Sequence, residues 1–268
     1  MYKINFQEPI HIHFIGIGGI SMSGLAEILF EEHFTISGSD SKESELTRHL
    51  EHMGMQIFYG QKASNIIEGI DLIVYTAAIR EDNPEFAAAK EKGIPMLSRA
   101  ELLGQIMDNY QNSIAVSGTH GKTTTTSMIS QILLAAKKDP TITVGGILKA
   151  IDGNLRVGKS DVFISEACEY TNSFLNFRPK YSIILNIEAE HLDFFKDIHD
   201  IRNSFHLFAK NTKENGAIII NGEIENYQEI VEGLAPQVIT YGMSDACDFY
   251  PADITFNEKA WANFTAMY

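Results

Sequence analysis

Short apolar runs alternate with segments of helical periodicity along the first hundred residues. Four of the runs are predicted strands, and three of the periodic segments are predicted helices. In chain order these are the strand Ile10–Ile15, the helix Met22–Phe30, the strand Thr35–Ser37, the helix Glu43–Met53, the strand Leu72–Tyr75, the helix Pro84–Lys92 and the strand Pro95–Leu97. This alternation is typical of a parallel sheet with helices on its faces.

A second series of apolar runs begins at Ile114–Val116. It continues through DVFISE, YSIILNI, GAIIING and QVITYG, and the last segment, DITFNEKAWANFTAMY, alternates like a pair of strands. The polar stretch Asp108–Asn112 follows a predicted helix at Glu101–Met107 and is the expected junction between two domains. The sequence therefore predicts an α/β protein with one parallel-sheet domain at residues 1–110 and another at residues 111–268.

A glycine-containing loop joins the predicted strand Ile114–Val116 to a helix on which Met128, Ile129, Ile132 and Leu133 recur at the spacing of one face. Its backbone N–H groups and the helix N-terminus form an anion site, and a lysine and a threonine add an ammonium group and a hydroxyl suited to Mg²⁺. Valine 116 stands where the usual phosphate loop has its first glycine. The loop is therefore predicted to bind a nucleotide phosphate, and the candidate contacts are Gly118, Thr119, His120, Gly121, Lys122, Thr123 and Thr124.

Another glycine loop lies near the N-terminus and, because it comes first along the chain, is called the first glycine loop. Gly16, Gly18 and Gly19 follow a predicted strand and precede a helix, and Asp40 ends the next strand. This is the Rossmann-like arrangement that holds a dinucleotide, although Ser21 occupies the place of the last glycine. The residues indicate a diphosphate at this helix start and leave open which one, so an NAD-dependent dehydrogenase is one alternative.

Acidic residues follow two predicted strands of the second domain. Glu166 and Glu169 follow one strand, and Asn186, Glu188, Glu190, His191 and Asp193 follow another. Ligands of open α/β sheets bind at the carboxyl ends of the strands, and carboxylates there can reach a magnesium ion. The alternating pair His11 and His13 is interpreted as lining one face of its strand rather than as a metal site.

Composition narrows the class of protein. The chain has 268 residues and a formal net charge of −14. It shows no basic stripe for nucleic acid, no apolar run near the roughly 20 residues of a membrane span and no secretory signal. Its two cysteines, Cys168 and Cys247, make no disulfide framework. We therefore expect a cytoplasmic protein that binds neither nucleic acid nor membranes.

Six segments resemble the Mur ligases, in the order found in that family: FIGIGGISMSGLA, VYTAAIREDNPE, LSRAELL, VSGTHGKTTTT, SEACEYTNSFL and LNIEAEHLDFF. The resemblance covers essentially the whole chain. It is greatest to the members that join L-alanine to UDP-N-acetylmuramate in peptidoglycan precursor synthesis. The family has three domains, which serve the UDP-sugar, ATP and the amino acid, and its phosphate loop also lacks the first glycine.

The resemblance implies roles for both loops. The first glycine loop cradles the UDP diphosphate, with the site residues Gly16, Ile17, Gly18, Gly19, Ile20, Ser21, Asp40, Thr76 and Arg99. Lys122 contacts the ATP phosphates, Thr123, Glu166 and His191 hold Mg²⁺, and Lys122, Glu166 and His191 are the implied catalytic residues. In the implied reaction ATP phosphorylates the muramic acid carboxylate, and the amine of L-alanine attacks the acyl phosphate.

Three alternatives remain at this stage. They are a recycling ligase that attaches a tripeptide to the same sugar nucleotide, the dehydrogenase and a non-catalytic nucleotide-binding module. By the resemblance, the chain is expected to stop within the central domain and to lack the third, C-terminal domain. We expect it to bind UDP-N-acetylmuramate as a monomer or homodimer but, as a fragment, not to catalyse ligation.

Overall fold

The computed structural model describes residues 2–268, which form two compact units. The first unit ends at Asn109 and the second comprises Tyr110–Tyr268. No helix within residues 2–268 is both long enough and apolar enough to cross a membrane. Each unit is built around its own sheet, so each is described separately.

The first unit is a five-stranded parallel sheet with helices between the strands. Its strands are β1 (His11–Ile15), β2 (Thr35–Asp40), β3 (Gln56–Tyr59), β4 (Leu72–Tyr75) and β5 (Met96–Ser98), and its helices are α1 (Ile20–Glu31), α2 (Glu45–Met53), α3 (Pro84–Glu91) and α4 (Arg99–Asp108). In the strand order β3-β2-β1-β4-β5, successive strands are added on one side of β1 up to β3 and on its other side from β4 onward, so the topological switch point lies between β1 and β4. The first glycine loop follows β1 and therefore lies at the switch point where such sheets bind ligands.

Local sequence explains where the helices of the first unit begin. Ser44 and Ser98 accept hydrogen bonds from backbone N–H groups at the starts of α2 and α4, and both form capping boxes. The Asn83 side chain likewise accepts hydrogen bonds from two backbone N–H groups at the start of α3, and a proline occupies the first helical position. Gly54 ends α2 in the left-handed conformation with φ of 107°.

The second unit has a seven-stranded sheet and a separate two-stranded hairpin. Its strands are β6 (Asn112–Ser117), β7 (Thr141–Leu148), β8 (Gly153–Arg156), β9 (Val162–Glu166), β10 (Tyr181–Ile184), β11 (Ala217–Asn221), β12 (Gln237–Tyr241), β13 (Tyr250–Phe256) and β14 (Ala262–Met267), and its helices are α5 (Lys122–Ala135), α6 (Ile198–Lys210) and α7 (Gln228–Val231). The sheet order is β12-β11-β10-β6-β9-β7-β8, parallel except for the edge pair β7 and β8. The loop at residues 118–121, which joins the central strand β6 to α5, is called the phosphate loop below.

The predicted α/β class with parallel sheets is confirmed. Helix α5 differs from its pattern in one respect. Met128 and Ile132 are 60% and 66% exposed, whereas Thr126 and Ser130 are buried. The Ser130 hydroxyl donates to the Thr126 carbonyl at 2.7 Å, so this polar side chain is satisfied within the helix. Small side chains therefore form the buried face of α5, and part of its apolar face is open.

Candidate functional site

The phosphate loop has a backbone that only glycine adopts easily. Gly118 has φ of 142°, and a Cβ atom there would lie 2.9 Å from Cβ of Leu185. Gly121, with φ of 83°, is the left-handed residue immediately before α5. Both glycines therefore let the chain turn tightly from β6 into the N-terminus of a 14-residue helix, which is the geometry of an anion site.

Asn186, two residues after the neighbouring strand β10, forms hydrogen bonds to this loop. Its side-chain oxygen accepts from the His120 N–H at 2.8 Å, and its side-chain amide donates to the His120 carbonyl at 3.0 Å. Its carbonyl accepts from the Thr119 N–H at 3.2 Å. The loop is therefore held in place by three hydrogen bonds to one residue.

Lys122 contacts Glu169, a carboxylate that the sequence analysis placed at a strand end without pairing it with Lys122. Its Nζ lies 2.9 Å from Oε2 of Glu169 and also donates to the Gly118 carbonyl at 2.6 Å. The Glu169 side chain is only 3% exposed. A buried carboxylate requires a cation or several donors, and Lys122 supplies that charge here. The ammonium group of Lys122 is thus engaged by Glu169 in this structure.

His191 meets the same carboxylate. Its Nε2 lies 3.6 Å from Oε1 of Glu169, and its ring packs 4.7 Å from the ring of Tyr170. Tyr170 donates to Asp193 at 2.9 Å, and this bond raises the pKa of the tyrosine. One ligand atom from each of Glu169, Glu190 and His191 lies within 4.8 Å of the others. The residues therefore form a group able to receive a cation.

The other two proposed metal residues lie beside β7. Glu166 accepts a hydrogen bond of 2.5 Å from the Gly145 N–H. The methyl group of Thr123 lies 3.4 Å from where a Cβ of Gly146 would stand. Glu166 and Thr123 thus lie beside the adjacent glycines Gly145 and Gly146, whereas His191 lies beside Glu169. Hard oxygen donors are the ligands Mg²⁺ prefers, so this set of carboxylates fits that ion.

Glu169 and Glu190 were recognised in the sequence as acids at strand ends but not as partners of Lys122 and His191. Glu169 immediately precedes an irregular turn in which Thr171 and Asn172 have positive φ. The available signal was its spacing, three residues after Glu166 at the end of β9.

The candidate site in the first unit is built around the first glycine loop. The N–H groups of Gly16 and Ile17 both donate to the Ser39 carbonyl, at 2.8 and 2.9 Å. The Gly18 N–H donates to Oδ2 of Asp40 at 2.9 Å. Gly19 immediately precedes α1, whose first residue, Ile20, is 64% exposed. The N-terminus of α1 is therefore exposed, and the Asp40 carboxylate lies beside the loop that precedes it.

Two further candidate residues border the same loop. The Thr76 methyl group, after β4, lies 3.1 Å from where a Cβ of Gly16 would stand. Arg99, the first residue of α4, donates to the Ser21 hydroxyl at 3.2 Å. Residues from three strand ends therefore meet at the switch point of this sheet, and Arg99 supplies a positive charge suited to a phosphate.

Profiles of two protein-family domains match the chain. The Mur ligase family, catalytic domain, matches residues 11–111, and the Mur ligase middle domain matches residues 116–265. A protein of Agathobacter rectalis named UDP-N-acetylmuramate–L-alanine ligase is 74% identical over 267 residues, which are 100% of this chain and 58% of that protein. A protein of the same name from Lachnospira eligens is 60% identical, with the same coverage. This chain thus spans 58% of the length of these relatives.

Solved structures of two Mur ligases also match the chain. UDP-N-acetylmuramate-alanine ligase MurC of Thermotoga maritima has a TM-score of 0.73 and is 30% identical, with 92% of this chain and 55% of that chain covered. The UDP-N-acetylmuramate:L-alanyl-gamma-D-glutamyl-meso-diaminopimelate ligase of Neisseria meningitides has a TM-score of 0.82 and is 27% identical, with 96% and 84% covered. Because the two domain profiles together span most of the chain, and the middle-domain profile alone more than half, the chain belongs to the Mur ligase family.

Proposed function

We propose that the chain carries the UDP-sugar and ATP sites of a ligase that joins L-alanine to UDP-N-acetylmuramate. The observation that carries the proposal is the 74% identity, over the whole chain, to a relative bearing that name. The two glycine loops support it, since each lies at a strand end where a phosphate group can meet a helix N-terminus. We further propose that the protein acts in the cytoplasm as a monomer or homodimer, without nucleic acid or membrane.

In the proposed reaction the γ-phosphoryl group of ATP passes to the muramic acid carboxylate, and ADP leaves. The L-alanine amine then attacks the acyl phosphate, the amide forms and phosphate departs. Phosphoryl transfer depends on positioning and charge neutralisation more than on a protein nucleophile. Lys122 and the loop N–H groups supply positive charge, and Mg²⁺, when bound, supplies more.

Thr123, Glu166 and His191 are the proposed metal residues, and Glu169 and Glu190 join them on the basis of the geometry. Lys122 must leave Glu169 to reach a phosphate, and that exchange leaves the carboxylate available to a cation. His191, which already faces Glu169, stays beside it. The proposed UDP-sugar residues remain Gly16, Ile17, Gly18, Gly19, Ile20, Ser21, Asp40, Thr76 and Arg99.

The recycling ligase that attaches a tripeptide to the same nucleotide is the second candidate, because the Neisseria structure of that type superimposes with a TM-score of 0.82. Its sequence identity of 27% lies far below the 74% shared with the A. rectalis relative. The identity favours L-alanine as the amine.

Calorimetric titration of the chain tests the two binding sites. We expect UDP-N-acetylmuramate and ATP with Mg²⁺ each to bind with one site, and NADH not to bind. Tight NADH binding without binding of the sugar nucleotide would support the dehydrogenase instead. Ligation is tested with a chimera that joins this chain to the part of the A. rectalis relative outside the match, supplied with UDP-N-acetylmuramate, ATP, Mg²⁺ and L-alanine. Absence of the L-alanine product, under conditions in which the A. rectalis enzyme forms it, would overturn the assignment.

A further inference from the structure

Glu85 is a fully buried carboxylate that lies outside the loops described above. It is the second residue of α3, and its side chain receives three hydrogen bonds. The Ser39 hydroxyl donates at 2.5 Å, and the Asn65 side-chain amide and the Lys62 backbone N–H also donate. Burying a carboxylate is costly unless several donors satisfy it, so this arrangement requires all of these partners to stay in place.

One connection leads from Glu85 directly to the first glycine loop. Ser39 lies in β2, and its hydroxyl is held by Glu85. The carbonyl of the same residue accepts the N–H groups of Gly16 and Ile17. The position of Ser39 therefore fixes the first turn of the loop.

A second connection reaches the loop from the other side. The Asn65 amide that donates to Glu85 also donates to the Gly60 carbonyl at 2.9 Å. The Gly60 N–H donates to the Asp40 carbonyl at 2.8 Å, and the Asp40 carboxylate accepts the Gly18 N–H. Both connections start at Glu85 and end on consecutive residues of the same loop.

We propose that Glu85 is a positioning residue for the first glycine loop, holding the loop backbone and Asp40 in the geometry in which the start of α1 receives a diphosphate. The identity of that diphosphate rests on the proposed function, whereas the link between Glu85 and the loop does not. A carboxylate suits this role because it accepts several hydrogen bonds at once and can join β2 to the segment around Asn65. Glutamine has only one acceptor oxygen and keeps part of the network.

Hydrogen exchange in the ligand-free chain tests the link. In Glu85→Ala we expect the amides of Gly16, Ile17 and Gly18 to exchange about tenfold faster, because their acceptors lose their anchor. Glu85→Gln should remain within about threefold of the wild type. Glu91→Ala, an exposed substitution at the end of the same helix, is the control and should change none of these amides.

Amides within α4 report general loosening of the unit and should exchange at wild-type rates in all variants. Unchanged exchange at the three loop amides in Glu85→Ala would overturn the proposal, as would equal acceleration in α4. If Glu85→Ala does not fold, Ser39→Ala replaces it. That variant removes only one donor, and it should speed exchange at Gly16 and Ile17 about threefold.

Titration separates this proposal from the proposed function. We expect the Kd for UDP-N-acetylmuramate to rise about tenfold in Glu85→Ala and to recover in Glu85→Gln, while the Kd for ATP with Mg²⁺ stays unchanged. Wild-type affinity for the sugar nucleotide in Glu85→Ala would overturn the positioning role. If the wild-type chain itself fails to bind the sugar nucleotide, the proposed function fails, and the exchange measurement still decides the role of Glu85.

Discussion

At the scale of single residues, Lys122 and Glu169 form an ion pair of 2.9 Å beside the phosphate loop. In the proposed ATP site, the ammonium group exchanges this carboxylate for a phosphate when the nucleotide binds. Glu169 therefore opposes binding of metal-free ATP in two ways, by holding the lysine and by repelling the phosphate. With Mg²⁺ present, the same carboxylate is a candidate ligand and its effect is favourable.

Glu169→Gln should change metal-free and metal-dependent binding in opposite directions. We expect ATP affinity in EDTA to rise about tenfold, since a negative charge near the phosphates is removed. The gain in affinity on adding Mg²⁺ should shrink. Calorimetric titration with and without the ion measures both, and Glu214→Gln, at an exposed position, is the control. Weaker binding by an equal factor in both conditions would contradict the two roles assigned to Glu169.

His13 gives a prediction about pH. The ring is fully buried on β1, its Nδ1 shares a hydrogen bond of 2.9 Å with the Ser37 hydroxyl, and its Nε2 lacks a partner within the described residues. Burial lowers the pKa of His13 to about 4 from 6.5. His11, bonded to the same hydroxyl, has a pKa lowered by burial, and the pKa of Glu85, 4.0 Å away on α3, is raised by burial.

A folded-state pKa below the unfolded value means that His13 contributes stability above pH 6.5, and that this stability is lost as the pH falls toward 4. Between pH 7.5 and pH 5 the free energy of unfolding should lose about 2 kcal/mol from this residue. Protonation of Glu85 acts in the opposite direction, and His11 acts in the same direction as His13. Comparing the pH dependence of the free energy of unfolding in the wild type and in His13→Asn therefore isolates the contribution of the His13 ring.

Differential scanning calorimetry of the wild type and His13→Asn at the two pH values measures this contribution. The variant should be less stable at the higher pH and show a smaller fall in unfolding temperature on acidification. Parallel falls in both proteins would show that His13 does not carry the pH dependence.

At the scale of elements, the phosphate loop depends on Gly118. A Cβ there meets a strained backbone and lies 2.9 Å from Cβ of Leu185. Gly118→Ala should reduce the free energy of unfolding of the second unit by about 3 kcal/mol and lower ATP affinity. Gly233→Ala is the matched control, because Gly233 also has positive φ but has open space around it, and it should cost about 1 kcal/mol without affecting ATP. Thermal unfolding and ATP titration test both, and native ATP affinity in Gly118→Ala would contradict the argument.

The alternating elements could be predicted from sequence because strands such as Leu72–Tyr75 are continuous apolar runs and the helices have clear caps. β7 was missed because Gly145 and Gly146 interrupt its apolar pattern, and β8 because GNLR is a polar edge strand. Helix α6 was also missed, although its buried Ile201, Phe205 and Phe208 recur at helical spacing.

The candidate site was predictable to the same degree. The sequence placed Lys122 in a loop between a strand and a helix, and the structure has it at the first position of α5, directly after that loop. Contacts that depend on irregular turns were not predicted. Glu169, the partner of Lys122, lies in an irregular segment in which Thr171 and Asn172 have positive φ, and no periodic pattern encodes such a segment.

At the scale of the whole molecule, a net charge of −14 opposes the approach of a polyanionic ligand. Under the proposed function, affinity then comes from short-range groups, such as loop N–H groups, Lys122 and Arg99, which act only once the ligand has arrived. Added salt screens the long-range repulsion, whose range falls from roughly 30 Å at 0.01 M to about 8 Å at 0.15 M ionic strength. The association rate of ATP should therefore rise with salt, the reverse of the behaviour of a basic nucleic-acid binder.

Stopped-flow measurement of the association rate constant tests this prediction. Between 0.01 and 0.15 M of a weakly coordinating salt we expect an increase of about threefold for metal-free ATP. ATP with Mg²⁺ is the matched control, since the ion removes two negative charges from the same ligand and the increase should be smaller. An association rate that falls with salt, more steeply for metal-free ATP, would mean that a local positive field around the phosphate loop outweighs the overall charge. Because this comparison changes only the charge of the ligand, it separates the field of the whole molecule from the contacts at the site.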